Sequence, residues 1–244
     1  MKPQPFAYVR PDSVTEAIEH LLSGDGDAKL IAGGQSLVPL LNLRMARPST
    51  LVDIVRLPEL GAIAREGDQL VIGAAVRQRD VELSPVVQAA CPLLPLALRY
   101  VGHLQIRNLG TIGGSLAHAD PAAELPCVAV ALDAVLVAQG PDGTREVAAA
   151  DFFLGPFTTA LGPEEILTQV RFPVTGGVHA FVEFSRRGGD FAMTSVAASG
   201  ALADGIVSSV RLAASGAGPA QRCRPLPPQR GLRRSPRSPG GAVD

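Results

Sequence analysis

Apolar positions follow two periods along the chain, and the change of period marks out its elements. Val14, Ala17, Ile18, Leu21 and Leu22 repeat at helical spacing behind Ser13 and Glu16, a capping-box pair, and Gly24 and Gly26 end the run. A helix is therefore predicted from about residue 14. A β-like run, Lys29 to Ala32, ends in AGGQS, after which LVPLLNLR resumes as a short apolar helix. TLVDI at 50–54 reads as a second strand, and QLVIGA at 69–74 as a third behind the turn signal Glu66-Gly67-Asp68. Segments 77–90 and 93–101 have helical spacing. VAVALDAVLVAQG, PDG and TREVAAADFF read as helix, strand, turn and strand, and ILTQVRFPV at 166–174 as one more strand. From about Gly177 the runs HAFVEFSRR, MTSVAASGALA and IVSSVRLAAS predict strands of a further antiparallel sheet. Residues 219–244 are biased to Pro, Arg, Gly and Ser with no apolar period, which predicts a disordered tail.

Composition narrows the classes. The chain has 244 residues, 46% hydrophobic and 18% charged, which suits one large or two modest globular domains. Its longest apolar run, AAELPCVAVALDAVLVA, is interrupted by Glu124, Pro126 and Asp133, so no membrane span of about 20 apolar residues is predicted. MKPQPFAYVRPDS lacks the apolar centre of a signal peptide, and a cytoplasmic location is the expectation. Cys91, Cys127 and Cys223 show no CxxC spacing, and His20, His103 and His179 no metal-ligand spacing, so no metal site is predicted in this chain. The net charge of −1 hides an uneven distribution: six of the 22 basic residues lie after position 218, where Asp244 is the only acid. The acidic body before it argues against nucleic-acid binding.

Candidate chemistry concentrates in two segments of the same character, AGGQS at 32–36 and TIGGS at 111–115. In each, a β-like run enters a Gly-Gly pair followed by a hydroxyl, Ser36 or Ser115. Without Cβ atoms the main chain can take positive φ and turn successive N–H groups toward an anion, and two such loops suit the two phosphoryl groups of a pyrophosphate. Neither loop fits GxGxxG or GxxxxGK[ST], which removes the usual Rossmann and P-loop readings as strong options. A tight bend remains the plain alternative for either loop alone.

AGGQSLVPLLNLR together with QIRNLGTIGGSLAHADPAAELP resembles the FAD-binding medium subunit of molybdenum hydroxylases, the family containing carbon monoxide dehydrogenase and xanthine dehydrogenase. The likeness runs from about residue 3 to 218. It implies an α+β, PCMH-type (vanillyl-alcohol-oxidase-like) FAD-binding fold over 1–176, as lobes of about 1–55 and 56–176. An incomplete C-terminal α+β domain, 177–218, follows. The resemblance assigns Ala32, Gly33, Gly34, Gln35, Ser36 and Leu37 to the first pyrophosphate segment and Thr111, Ile112, Gly113, Gly114 and Ser115 to the second, Ser115 standing where many relatives have Asn. It places Glu124 against the adenosine ribose and Val101, Gly102 and Leu167 toward the flavin end, with Glu183 about where some relatives carry a flavin-side Lys. It also implies an electron-transfer role. Electrons come from the clusters of an iron–sulfur small subunit, fed by a molybdopterin-binding large subunit in a dimer of heterotrimers, and leave FAD for NAD or a quinone.

Other residues have plainer readings. His118 and Asp120-Pro121 are expected to be scaffolding, and Cys91 and Cys127 buried core thiols. Arg107 is expected to balance the diphosphate, to bind a partner's carboxylate or to form a plain surface salt bridge, and Arg186, Arg187 and Asp190 to face an acceptor or to form a solvated cluster. A stand-alone flavin oxidase would need its own base, for which Tyr8 and Tyr100 are available; a degenerate, non-enzymatic member is a third class. The family's chain runs on where residues 219–244 stand here, so the tail reads as a frameshift product or a disordered extension.

Overall fold

The computed structural model describes residues 2–23, 27–203, 206–216 and 221–223. The predicted disorder of 224–244 therefore falls outside the described residues. The N-terminal part is a three-stranded parallel sheet, order β1-β3-β2, made of β1 (Ala7–Val9), β2 (Ala28–Ile31) and β3 (Thr50–Asp53). Helix α1 (Val14–Ser23) links β1 to β2, and α2 (Leu37–Asn42) links β2 to β3. The predicted stripe forms: Val14, Ala17, Ile18 and Leu21 are buried, whereas Leu22 points outward, 45% exposed. Ser13 caps α1 by accepting from the Glu16 N–H at 3.1 Å, and the Glu16 carboxylate reaches back to the Asp12 N–H at 2.6 Å.

A five-stranded antiparallel sheet forms the second layer, in the order β4-β5-β10-β6-β7. Its strands are β4 (Ile63–Glu66), β5 (Gln69–Gly73), β6 (Val135–Gly140), β7 (Gly143–Ala148) and, returning through the middle, β10 (Ile166–Pro173). Between β5 and β6 lie six short helices: α3 (Gln78–Leu83), α4 (Pro85–Ala90), α5 (Leu93–Leu98), α6 (Leu104–Leu109), α7 (Ile112–His118) and α8 (Glu124–Ala131). The predicted helix over 77–90 is two helices, because Ser84 precedes Pro85 and takes an extended conformation (φ −64°, ψ 120°); its hydroxyl then caps α4. The predicted strand TREVAAADFF also divides, into β7 and a single helical turn, α9 (Ala149–Phe152), before the small hairpin of β8 (Phe153–Gly155) and β9 (Thr158–Thr159).

The expected C-terminal strands form an antiparallel sheet, β11 (Val178–Phe184), β12 (Thr194–Ala203) and β13 (Ile206–Ser215), in sequence order. Residues 221–223, placed in the tail by their composition, add a fourth strand, β14 (Gln221–Cys223), beside β13. Phe181, Ala197 and Ala213 from this sheet join one core with Leu94, Leu98, Leu125 and Val128 of the helices and Leu70, Ile72 and Val170 of the central sheet. A second core beneath α1 takes Leu60, Ala75 and Ile166 from the central layer. Cys91 and Cys127 are fully buried.

Candidate functional site

The first glycine loop leaves β2 at the carboxyl edge of the parallel sheet. Gly33 lies so close to the segment before the second loop that an added Cβ would fall 2.7 Å from Gly110 Cα and strike the Leu109 carbonyl. Only glycine allows that approach. Gly34 turns the chain with φ +71°, its carbonyl accepts from the Val38 N–H at 2.9 Å, and the Gln35 amide donates to the Gly33 carbonyl at 3.0 Å. The N–H groups of residues 33–36 find no protein acceptor among the described residues, and Ser36 caps nothing. A run of donors without partners, partly open to solvent, is what a bound anion would satisfy.

The second loop is built differently. TIGGS is no turn: Thr111 is the N-cap of α7, and Gly113 and Gly114 belong to its first turn. Residues 110–113 lie along 74–78 as a short ladder, with Ile112 N–H to the Val76 carbonyl (3.0 Å), Gly113 N–H to the Ala74 carbonyl (2.9 Å) and Gln78 N–H to the Gly110 carbonyl (2.9 Å). The Arg77 guanidinium closes on the Leu109 carbonyl. Gly114 N–H donates to Thr111 Oγ1 at 3.0 Å and Ser115 N–H to the Thr111 carbonyl at 3.2 Å. The expectation that both glycine pairs offer free amides is thus corrected for this loop, whose N–H groups from 112 to 115 are already held. What Gly113 supplies is closeness: an added Cβ would lie 2.7 Å from both Ala74 Cα and the Ala74 carbonyl oxygen. Gly114 is exposed, and a Cβ added there would come 3.9 Å from that of Ala32, so the two loops lie side by side.

Glu124 begins α8 and is only 8% exposed. Burial pushes its carboxyl up to about 8, helped by the neighbouring acids Glu183 and Asp120. Glu183 of β11, beside it, is itself raised, chiefly by burial. Burial thus favours the protonated form of both acids, with Glu124 the more deeply buried. Leu167 is 4% exposed, within the main core; the carbonyl of its neighbour Thr168 accepts from the Ala74 N–H at 2.9 Å, on the segment against which Gly113 packs. Val101 and Gly102 are half-buried in the connection from α5 to α6.

The remaining candidates sort simply. His118 packs on Phe157 at 5.1 Å between ring centroids, and burial lowers its pKa. Asp120 accepts from the Ala122 N–H at 2.9 Å, an Asx turn. Tyr8 is bonded to the Asp53 carboxylate and Tyr100 packs on Phe181, so neither hydroxyl is placed as a base at the loops. Arg107 is neither exposed nor among the loop contacts but paired with Glu82. Sequence reasoning missed Ala74, Leu109 and Gly110, which form the wall behind both glycine pairs; the small residues of GAAV at 73–76 were the available signal.

A parallel N-terminal sheet, an antiparallel central sheet and two glycine segments brought side by side form the architecture of a PCMH-type FAD-binding protein. Residues 4–175 match the family described as the FAD binding domain in molybdopterin dehydrogenase. The chain belongs to that family, whose members are FAD-binding oxidoreductase subunits. It is 48% identical over 195 residues to the 6-hydroxypseudooxynicotine dehydrogenase complex subunit alpha of Paenarthrobacter nicotinovorans, covering 79% of this chain and 66% of that one. It is 41% identical over 221 residues to the carbon monoxide dehydrogenase medium chain of Hydrogenophaga pseudoflava, covering 90% and 77%. Among solved structures, carbon monoxide dehydrogenase from H. pseudoflava superposes with a TM-score of 0.88 at 41% identity, over 91% of this chain and 78% of that one. Quinoline 2-oxidoreductase from Pseudomonas putida 86 gives 0.88 at 38% identity over the same shares. The chain thus spans 66% to 78% of the length of these relatives. Among the described residues no helix is long and apolar enough to cross a membrane.

Proposed function

We propose that the chain is the FAD-carrying, electron-transferring medium subunit of a molybdenum hydroxylase complex. The observation that carries this reading is the convergence of the two glycine segments, with Gly33 pressed against Leu109 and Gly110. Ala32 to Leu37 supply the amide donors to the pyrophosphate, and Thr111 to Ser115 form the opposing wall on which it rests. Glu124 meets the adenosine ribose, where a carboxyl group can pair with two hydroxyls. Val101 and Gly102 border the isoalloxazine, and Leu167 supports that end from behind. Bound FAD supplies a centre that takes up single electrons and gives up a pair, while the protein contributes binding, orientation and exclusion of water. The electrons arrive from an iron–sulfur small subunit served by a molybdopterin-binding large subunit, in a dimer of heterotrimers, and leave for NAD or a quinone. Substrate choice then belongs to the large subunit.

The test is direct. Purified chain should hold flavin in a one-to-one ratio by its visible absorption, and co-expression with the two partner chains should give a stable complex that reduces the flavin when substrate is added. Flavin-bearing chain that oxidises a substrate alone, with no partner, would overturn the subunit reading.

A further inference from the structure

Arg107 lies in the last turn of α6, an exposed-looking position in the sequence, yet is only 12% exposed. Its Nη1 donates to the Val101 carbonyl at 2.8 Å and reaches the Gly102 carbonyl at 3.5 Å, while Nε donates to Glu82 Oε2 at 3.1 Å. Glu82, 11% exposed on α3, also accepts from Arg79 at 2.8 Å. One side chain thus joins α3, α6 and the segment between α5 and α6. That segment needs holding: Gly102 has φ +42°, with Ile106 Cδ1 2.8 Å from where a Cβ would stand. On its far side His103 abuts Gly189, whose Cβ would fall 2.7 Å from His103 Nδ1, and Tyr100 packs on Phe181 of β11 at 5.3 Å. Residues 100–103 are therefore wedged between the helices and the C-terminal sheet. A planar fork can take a carboxylate and a backbone carbonyl at once, which an ammonium on a flexible stem does less well. A screened surface pair would contribute little, but this one is largely withdrawn from water and aimed at backbone oxygens.

We infer that Arg107 is a positioning residue for the flavin end of the site, holding Val101 and Gly102 in the conformation that receives the isoalloxazine. It rests on the assignment of those two residues to the flavin end. The test compares binding of FAD with binding of ADP, which lacks the flavin, in Arg107→Gln, Arg107→Lys, Glu82→Gln and Gly102→Ala, together with the visible absorption of bound flavin and a melting curve. Loss of charge-assisted bonds to the segment should weaken FAD about tenfold in Arg107→Gln while ADP changes less than about twofold. The flavin absorption band should shift, and Arg107→Lys should recover part of both effects. Equal weakening of FAD and ADP, or no change in either, overturns the inference. If Gly102→Ala shifts the flavin band and Arg107→Gln does not, the assignment of Gly102 stands and the role of Arg107 falls; if Gly102→Ala leaves the band unmoved, the assignment itself falls. Should Arg107→Gln fail to fold, Glu82→Gln, which keeps the guanidinium but frees it, carries the same comparison.

Discussion

The two Gly-Gly segments are spelled alike and built unlike. AGGQS is a true turn whose amides from 33 to 36 have no protein acceptor among the described residues, whereas TIGGS is a helix start whose amides from 112 to 115 are all engaged. In the first, glycine provides conformation at Gly34 and closeness at Gly33; in the second, closeness alone, against Ala74. A glycine pair in a sequence therefore does not say whether it frees donors or removes side chains. The first loop has donors left over and the second is tied down by the protein's own bonds; under the proposed function a diphosphate would meet a second loop already ordered, at little cost in entropy.

The largest effect should come from filling the wall. Gly113→Ala forces a methyl into the Ala74 backbone, which cannot swing aside as a side-chain end would, and overpacking of that kind costs about 2 to 3 kcal/mol. Gly33→Ala meets the Leu109–Gly110 backbone in the same way and should pry the two loops apart. Both variants should melt lower and lose flavin on gel filtration. Gly114→Ala meets only Thr111 Oγ1, at 2.8 Å, and should be milder, so equal damage at 113 and 114 would refute the division of roles drawn between them.

Thr111→Val tests the wall without filling it. Removing the cap leaves the Gly114 N–H without its acceptor and should cost about 1 to 2 kcal/mol by chemical denaturation. That freed amide is then available to the diphosphate, so FAD affinity should fall less than stability does. A larger loss of affinity than of stability would mean the second loop is a donor loop after all.

How much of this was legible follows from which forces act locally. Ser13, Glu16 and the stripe from Val14 to Leu21 encode α1 within one stretch, and the structure has it there. Helix α7 was hidden because two glycines in its first turn argue against a helix; the ladder onto 74–78 overrides their propensity. Strand β1 has only three residues and forms through pairing with β3, more than forty positions on. The same distance hid the site's electrostatics: nothing near Glu124 announces that Glu183 of β11 will stand beside it. Arg107 looked like a surface charge because its partners, Glu82 and the Val101 carbonyl, are brought to it by packing.

Glu124 supplies the third test, since beyond the wall it is the next polar group of the proposed site. Its carboxyl is raised from the ordinary range to about 8 in the folded chain, so in the absence of ligand the folded state holds a proton that the unfolded state has already lost. Stability from this group is fully present below about pH 4.5 and is lost as pH rises toward 8, with a slope of at most about 1.4 kcal/mol per pH unit. Glu124→Gln should flatten that slope in flavin-free protein. An unchanged pH profile of denaturation midpoints would show that Glu124 is ionised in the fold and is not the buried acid of the pair.

The smallest effect on folding belongs to Gly34 of the donor loop, and it is the most discriminating. Gly34→Ala places a side chain at φ +71°, a left-handed conformation that costs about 1 kcal/mol, with the new methyl 3.1 Å from Val38 Cγ2, which has to give by only a few tenths of an ångström. The fold should survive. Relief of the strain, however, rotates the peptide planes on either side of residue 34 and re-aims the amides of 34 and 35. FAD affinity should therefore drop by more than the roughly fivefold that a 1 kcal/mol change alone would give. The variant would then show the pattern opposite to Thr111→Val, with affinity falling further than stability. Parallel losses in both variants would erase the distinction between a loop that donates and a loop that confines.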